Sequence, residues 1–197
     1  MQSESFNQEY FSSAAYADYQ SDVLAYAGAV GRKIASFIQD RPQPRVLDVG
    51  CAHGYLIGWL KEKYGFEAAG LELSDYVISR AEKAVKNQIK KGSILAGRNF
   101  KPNSFDAVFC QDVCEYLERR DIDAAAGNLV SWSRGYVFFG DIYKHSIKAS
   151  QKFNPDPYRL TSLSQKEYIG LFKKAGAEYI SKFNGGSGGD IMIFEKE

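Results

Sequence analysis

The stretch Val46-Leu47-Asp48-Val49-Gly50-Cys51-Ala52-His53-Gly54-Tyr55-Leu56 constrains the fold of this chain more than any other part of it. A short apolar run ends in an acid, a loop of small residues follows, and an apolar helical pattern starts near Tyr55. That order reads as a buried strand turning sharply into a helix. Glycine suits the turn because, without a Cβ, it takes positive φ and lets a ligand approach its amides. The open amides of the first helical turn face the same ligand, which gives the stretch the form of a nucleotide-binding edge.

Two spacings compete to describe it. A dinucleotide fingerprint places glycines at the first, third and sixth positions. Counted from Gly50, these are Gly50, Ala52 and Tyr55, and a tyrosine ring obstructs the close helix packing that the third glycine permits. Read instead as acid-x-Gly-x-small-x-Gly, the residues are Asp48, Gly50, Ala52 and Gly54. A second landmark is the apolar run from Phe66 that ends in Glu72, 24 positions after Asp48; an acid there accepts from ribose hydroxyls. The third is a strand that opens on Phe105-Asp106 and runs into Gln111-Asp112-Val113-Cys114-Glu115-Tyr116.

With these landmarks in order, the sequence from Arg45 to Phe194 resembles the class I S-adenosylmethionine-dependent methyltransferases. Their first motif has the acid-x-Gly-x-small-x-Gly form, and their fourth runs from Phe-Asp into Asp-Val-x-Glu-His. The resemblance implies an α/β, Rossmann-like, seven-stranded and mostly parallel sheet with helices on both faces and a C-terminal antiparallel hairpin. S-adenosyl-L-methionine is the implied cofactor and S-adenosyl-L-homocysteine its product. Asp48, Gly50, Cys51, Ala52 and Gly54 are expected to form the cofactor loop, Glu72 to meet the ribose, Leu73 and Leu95 to flank the adenine, and Gln111 and Asp112 to lie beside the reacting methyl. Relatives often carry an Asp near positions 93–97, absent here, and the ubiquinone-biosynthesis type has histidine where this chain has Tyr116.

The implied reaction is methyl transfer to an oxygen or nitrogen of a small metabolite by in-line displacement. His145 is the candidate general base, since imidazole titrates near neutrality; Asp112 and Tyr143 are the other catalytic candidates, and Asp141, Tyr158 and Arg159 are acceptor-site candidates, Arg159 suiting a carboxylate. Tyr16 and Tyr19, with neighbouring aromatics, resemble a lid over donor and acceptor. Two other classes stay open: a non-catalytic S-adenosylmethionine-binding regulatory module, and a nicotinamide-dependent reductase, which Tyr55 disfavours.

Length and charge narrow the partners. The 197 residues suit a single methyltransferase domain, with 1–40 as a helical lid segment and 141–161 as an acceptor-site loop. A net charge of +1 gives no strong attraction to nucleic acid or an anionic membrane. Three cysteines and two histidines suggest neither a disulfide framework nor a metal site. The expected setting is cytoplasmic, with a small-molecule acceptor and an undetermined monomer or homodimer.

The remaining pattern predicts a helix carrying Val23, Ala27, Val30, Ile34, Phe37 and Ile38, and a strand over 45–49. After Ser74, a helix is expected to bury Ile78, Ala81, Val85 and Ile89, with a third strand near 93–96. Asp121 is expected to cap a helix, Ser164 to open another through a capping box with Glu167, and residues 177–183 and 190–194 to pair as the final hairpin.

Overall fold

The computed structural model describes residues 19–141, 143, 156, 158–185 and 189–197, with side chains from Leu24 onward. In chain order the elements are α1 (Tyr19–Ile38), β1 (Arg45–Val49), α2 (Tyr55–Tyr64), β2 (Glu67–Glu72), α3 (Asp75–Arg80), β3 (Ile89–Lys91), β4 (Phe105–Gln111), α4 (Ile122–Trp132), β5 (Ser133–Gly140), α5 (Gln165–Lys174), β6 (Ala177–Asn184) and β7 (Asp190–Lys196). Among the described residues, seven strands form one sheet in the order β3-β2-β1-β4-β5-β7-β6. β1 runs parallel to β2 and β4, and β4 to β5, whereas β7 is antiparallel to both β5 and β6. This is the expected sheet with its terminal hairpin.

The central strands β1, β4, β5 and β7 are buried along most of their length because both faces of the sheet are covered there. On β4, Ala107 and Phe109 face the cluster built from Ala27, Val30, Ile34 and Ile38 of α1 and Leu56 and Leu60 of α2. The alternate residues Val108 and Cys110 face the opposite layer, which holds Leu129 and Trp132 of α4 and Tyr168 and Phe172 of α5. Residues 24–38 of α1 are thus a wall of the core. The aromatics proposed as a lid fall elsewhere: Tyr16 lies outside the described residues, as do Tyr10 and Phe11, and of Tyr19 only the helical backbone is described.

Three local expectations are corrected. The third strand is Ile89–Lys91, not 93–96. The helix after Ser74 ends at Arg80, where Ala81 turns to φ −57 and ψ 151. Ala81, Val85 and Ile89 are nonetheless buried, together with Ile57 and Cys51, so their spacing reported burial without a continuous helix. Asp121 stands at the start of α4 but its side chain makes no capping bond; a 3-10 turn over Arg119–Asp121 leads into the helix instead. Ser74 caps as expected, accepting from the Val77 amide at 3.3 Å, and Ser164 and Glu167 form the reciprocal capping box.

The amino-terminal edge of the sheet is tied by Asp106. Its buried carboxylate accepts from Arg41 Nη1 at 2.9 Å, Arg134 Nε at 2.9 Å and Nη2 at 2.7 Å, and the Arg45 amide at 2.8 Å. One side chain therefore joins the segment after α1, the start of β1 and the start of β5. The site lies at the opposite, carboxyl-terminal edge.

Candidate active site

The sheet order reverses between β1 and β4, and in open α/β sheets ligands bind beyond the strand ends at such a switch point. β1 delivers Asp48 there, followed by a loop in which Gly50, Ala52 and Gly54 have φ of 77, 45 and 83. Ala52 thus accepts a left-handed backbone in spite of its Cβ. The loop is tied to the tip of β2: the Gly50 and Cys51 amides donate to the Leu71 carbonyl at 2.8 and 3.3 Å, and the Ala52 amide to Glu72 Oε2 at 3.1 Å. Gly54 is the N-cap of α2 and supplies no side-chain acceptor to its first turn.

Glu72 also accepts, through Oε1, the Leu73 and Ser74 amides at 2.7 and 2.8 Å. Three backbone donors fix the carboxylate at the strand tip, and Oε2, with one of them, keeps capacity for a ligand hydroxyl. Burial raises its pKa, against the pull of those amides. Burial, and then the Glu72 charge, push Asp48 up to about 8. Two carboxyls gathered beside a tight glycine loop suit a ligand with cationic groups and a ribose. The Cys51 thiol turns the other way, beneath the loop: a Cβ on Gly70 would lie 2.4 Å from its Sγ. Cys51 therefore serves through its backbone, and burial raises its thiol pKa. Leu73 and Leu95 are part-buried beside the cleft, and the Leu95 segment is pinned by Asn128 Nδ2 on the Ile94 carbonyl and Trp132 Nε1 on the Gly97 carbonyl, at 2.8 and 2.9 Å.

β4 contributes the other half. Asp112 leaves the strand with φ 51, its amide donating to the Gly140 carbonyl at 3.2 Å, and Gln111 Nε2 donates to its carboxylate at 3.3 Å. Asp112 is exposed in surface area yet ringed by protein; that enclosure raises its carboxyl to about 6, opposed by Gln111 and Arg159. Beyond it, Cys114–Tyr116 form a 3-10 turn, in which residues three apart lie above one another. With Asp141, just past the end of β5, Asp112 and Glu115 bring carboxylate oxygens within 4.8 Å of one another. Glu115 is paired with Arg159 at 2.9 Å, and burial, then Asp112, raise it to about 7 while Arg159 pulls it back. Asp141 accepts from the buried Tyr168 hydroxyl. Such a triad has the donors for a metal ion, which the sequence did not suggest, but Arg159 and Tyr168 already engage two of its members.

Two catalytic expectations fare differently from Asp112. Tyr143 is buried at 3% exposure and its hydroxyl donates to the Asp190 carbonyl at 3.0 Å. Burial, and then Asp141, raise its pKa, so it braces β7 rather than presenting a reactive phenol. His145 lies outside the described residues, as does most of the 141–161 segment. Val113 and Glu115 lie within the stretch that follows β4, and the structure gives each a contact. Val113 packs on the glycine loop, for a Cβ at Gly50 would meet its Cγ2 at 2.4 Å; the three-residue interval from Asp112 was the available signal for Glu115.

Comparison with known proteins agrees with this geometry. A family described as "Methyltransferase domain" matches residues 47–139. The ubiquinone biosynthesis O-methyltransferase of Nitrosospira multiformis is 28% identical over 140 residues, 68% of this chain and 49% of that protein. A phosphoethanolamine N-methyltransferase of Plasmodium falciparum is 21% identical over 156 residues, 78% and 58%. The crystal structure of a magnesium protoporphyrin IX methyltransferase from Synechocystis with bound SAH superposes with a TM-score of 0.70, at 14% identity, over 96% of this chain and 98% of that one. On fold, motif order and these matches together, the chain is similar to the class I S-adenosylmethionine-dependent methyltransferases and shares their fold. The loop with Asp48 and Glu72 fits S-adenosyl-L-methionine as a cofactor. The chain spans about half the length of the curated relatives it matches. Among the described residues, no helix is long and apolar enough to cross a membrane.

Proposed function

We propose that the protein transfers a methyl group from S-adenosyl-L-methionine to an oxygen or nitrogen of a small acceptor. The observation that carries this reading is the packing of the β4 turn on the cofactor loop: Val113 touches the space above Gly50, so the adjoining Asp112 stands at the rim of the cofactor cleft. The cofactor supplies an electrophilic methyl on a sulfonium. Glu72 offers acceptor oxygens to the donor's hydroxyl groups, and Asp48, raised to about 8, gives up its proton as a cationic donor binds beside it. Asp112, raised to about 6, is largely ionised at neutral pH yet basic enough to take a proton from an acceptor aligned for in-line attack. Relatives that methylate oxygen and nitrogen, by their names, leave both acceptor atoms within this reading.

Formation of S-adenosylhomocysteine is the assay, run with small phenols, amines and hydroxy acids as acceptors. Turnover is expected with a member of one class, falling about a hundredfold in Asp112→Asn while donor affinity changes less than threefold. The wild-type rate should drop below pH 6, where Asp112 is protonated. Tight donor binding without turnover on any acceptor would favour a non-catalytic binding module and overturn the proposal.

A further inference from the structure

Arg159 holds a donor that the described structure does not use. Its side chain is 9% exposed, its Nε donates to Glu115 Oε2 at 2.9 Å, and its Nη1 is buried with no hydrogen-bond partner. A charged N–H buried without an acceptor is unfavourable, and the fold does nothing to relieve it. Instead it fixes the residue in place. The Leu160 and Thr161 amides both donate to the Glu115 carbonyl, at 2.8 and 3.0 Å, and Thr161 Oγ1 donates to the Leu117 carbonyl at 2.6 Å. The segment bearing Arg159 is thereby pinned to the turn after β4, the turn that bears Asp112.

We propose that Arg159 Nη1 binds an oxyanion group of the methyl acceptor, a carboxylate or a phosphate, with the acceptor's nucleophilic atom directed toward Asp112. The inference rests on the methyltransferase reading above and names the substrate class for that site. Charge supports the orientation. Asp112 and Asp141 bring carboxylate oxygens within 4.8 Å of those of Glu115; a second anionic group on the acceptor would be repelled beside Asp112, and a neutral or protonated amine or a hydroxyl would not. The acceptor is therefore anionic at one end and nucleophilic at the other, with a guanidinium, the geometry best suited to oxyanions, reading the first.

The test uses the full chain, labelled with 15N-arginine and saturated with S-adenosylhomocysteine. Inorganic phosphate and acetate are titrated separately at ionic strength held constant with sodium chloride. The Nε–H resonance of Arg159, identified by its absence in Arg159→Lys, should move saturably with at least one anion, and the tighter of the two gives the acceptor's anionic group. Arg159→Lys keeps a charge beside Glu115 and hence the fold; in it, binding read from the 31P or 13C signal of the anion should weaken about tenfold or more. No saturable shift with either anion, or equal binding to the Lys variant, overturns the proposal while the cofactor reading stands. Failure of S-adenosylhomocysteine to bind removes the cofactor reading and this inference with it.

Discussion

Replacing Asp106 with asparagine should weaken the fold without touching the chemistry. The carboxylate is 1% exposed and receives four donors from Arg41, Arg45 and Arg134. Burial alone would raise its pKa; the bonds from Arg134, Arg41 and the Arg45 amide outweigh that and hold it at about 2, against 3.8 for an unperturbed Asp. The depression from 3.8 to about 2 corresponds to about 2.4 kcal/mol. Because Arg41 and Arg134 are 34% and 42% exposed, solvent screening reduces this, and a loss of about 1–2 kcal/mol is expected for Asp106→Asn. The folded pKa is depressed, so the stabilisation is present above the unfolded value of 3.8 and is lost as pH falls toward 2. Urea unfolding of wild type and variant should differ by a constant amount from pH 7 to 5 and converge below pH 4. S-adenosylmethionine affinity should be equal in the two folded proteins, since Asp106 lies at the far edge of the sheet. A stability difference below about 0.5 kcal/mol at pH 7 would refute the reasoning.

Three further outcomes follow from the site. Asp48, raised to about 8, is mainly protonated at pH 7, and a cationic donor favours its carboxylate; donor binding should release a proton at pH 7, strengthen as pH rises through 8, and lose both effects in Asp48→Asn, as calorimetry in buffers of different ionisation enthalpy will report. Gly50→Ala sets a Cβ 2.4 Å from Val113 Cγ2 at φ 77, which should cost about 1–2 kcal/mol of stability and weaken donor binding; Val113→Ala in the same chain should restore part of the affinity by removing the clash but not the strain. Tyr143→Phe should lower the melting temperature by removing the bond to the Asp190 carbonyl, with turnover in the folded protein unchanged.

The position in the fold of the proposed cofactor loop was legible because its residues are local. Asp48 through Gly54 and Glu72 sit at strand tips whose order and spacing are written in the chain, and the sheet that carries them follows from alternating apolar runs. The errors came where burial and secondary structure part company. Ala81, Val85 and Ile89 keep helical spacing but pack against Ile57 and Cys51 from turns and a three-residue strand, and a strand that short, Ile89-Lys90-Lys91, carries too little pattern to place. Asp106 was legible as a landmark and not as a tie, since its arginine partners are 65 and 28 residues away. The acceptor half is non-local in the same way. Glu115 meets Arg159 across 44 positions, so the acidic residue and the guanidinium were each visible and their pairing was not.

Calorimetric titration with S-adenosylmethionine, S-adenosylhomocysteine and NADH, on wild type and on Glu72→Gln, tests the cofactor site most directly. Glu72→Gln preserves shape while removing the charge that faces the ribose position. Saturable binding of the first two ligands, at least tenfold weaker in the variant, with none for NADH, is the predicted result. Binding of NADH instead, or equal S-adenosylmethionine affinity in both proteins, would contradict the placement of the cofactor at Glu72 and the glycine loop.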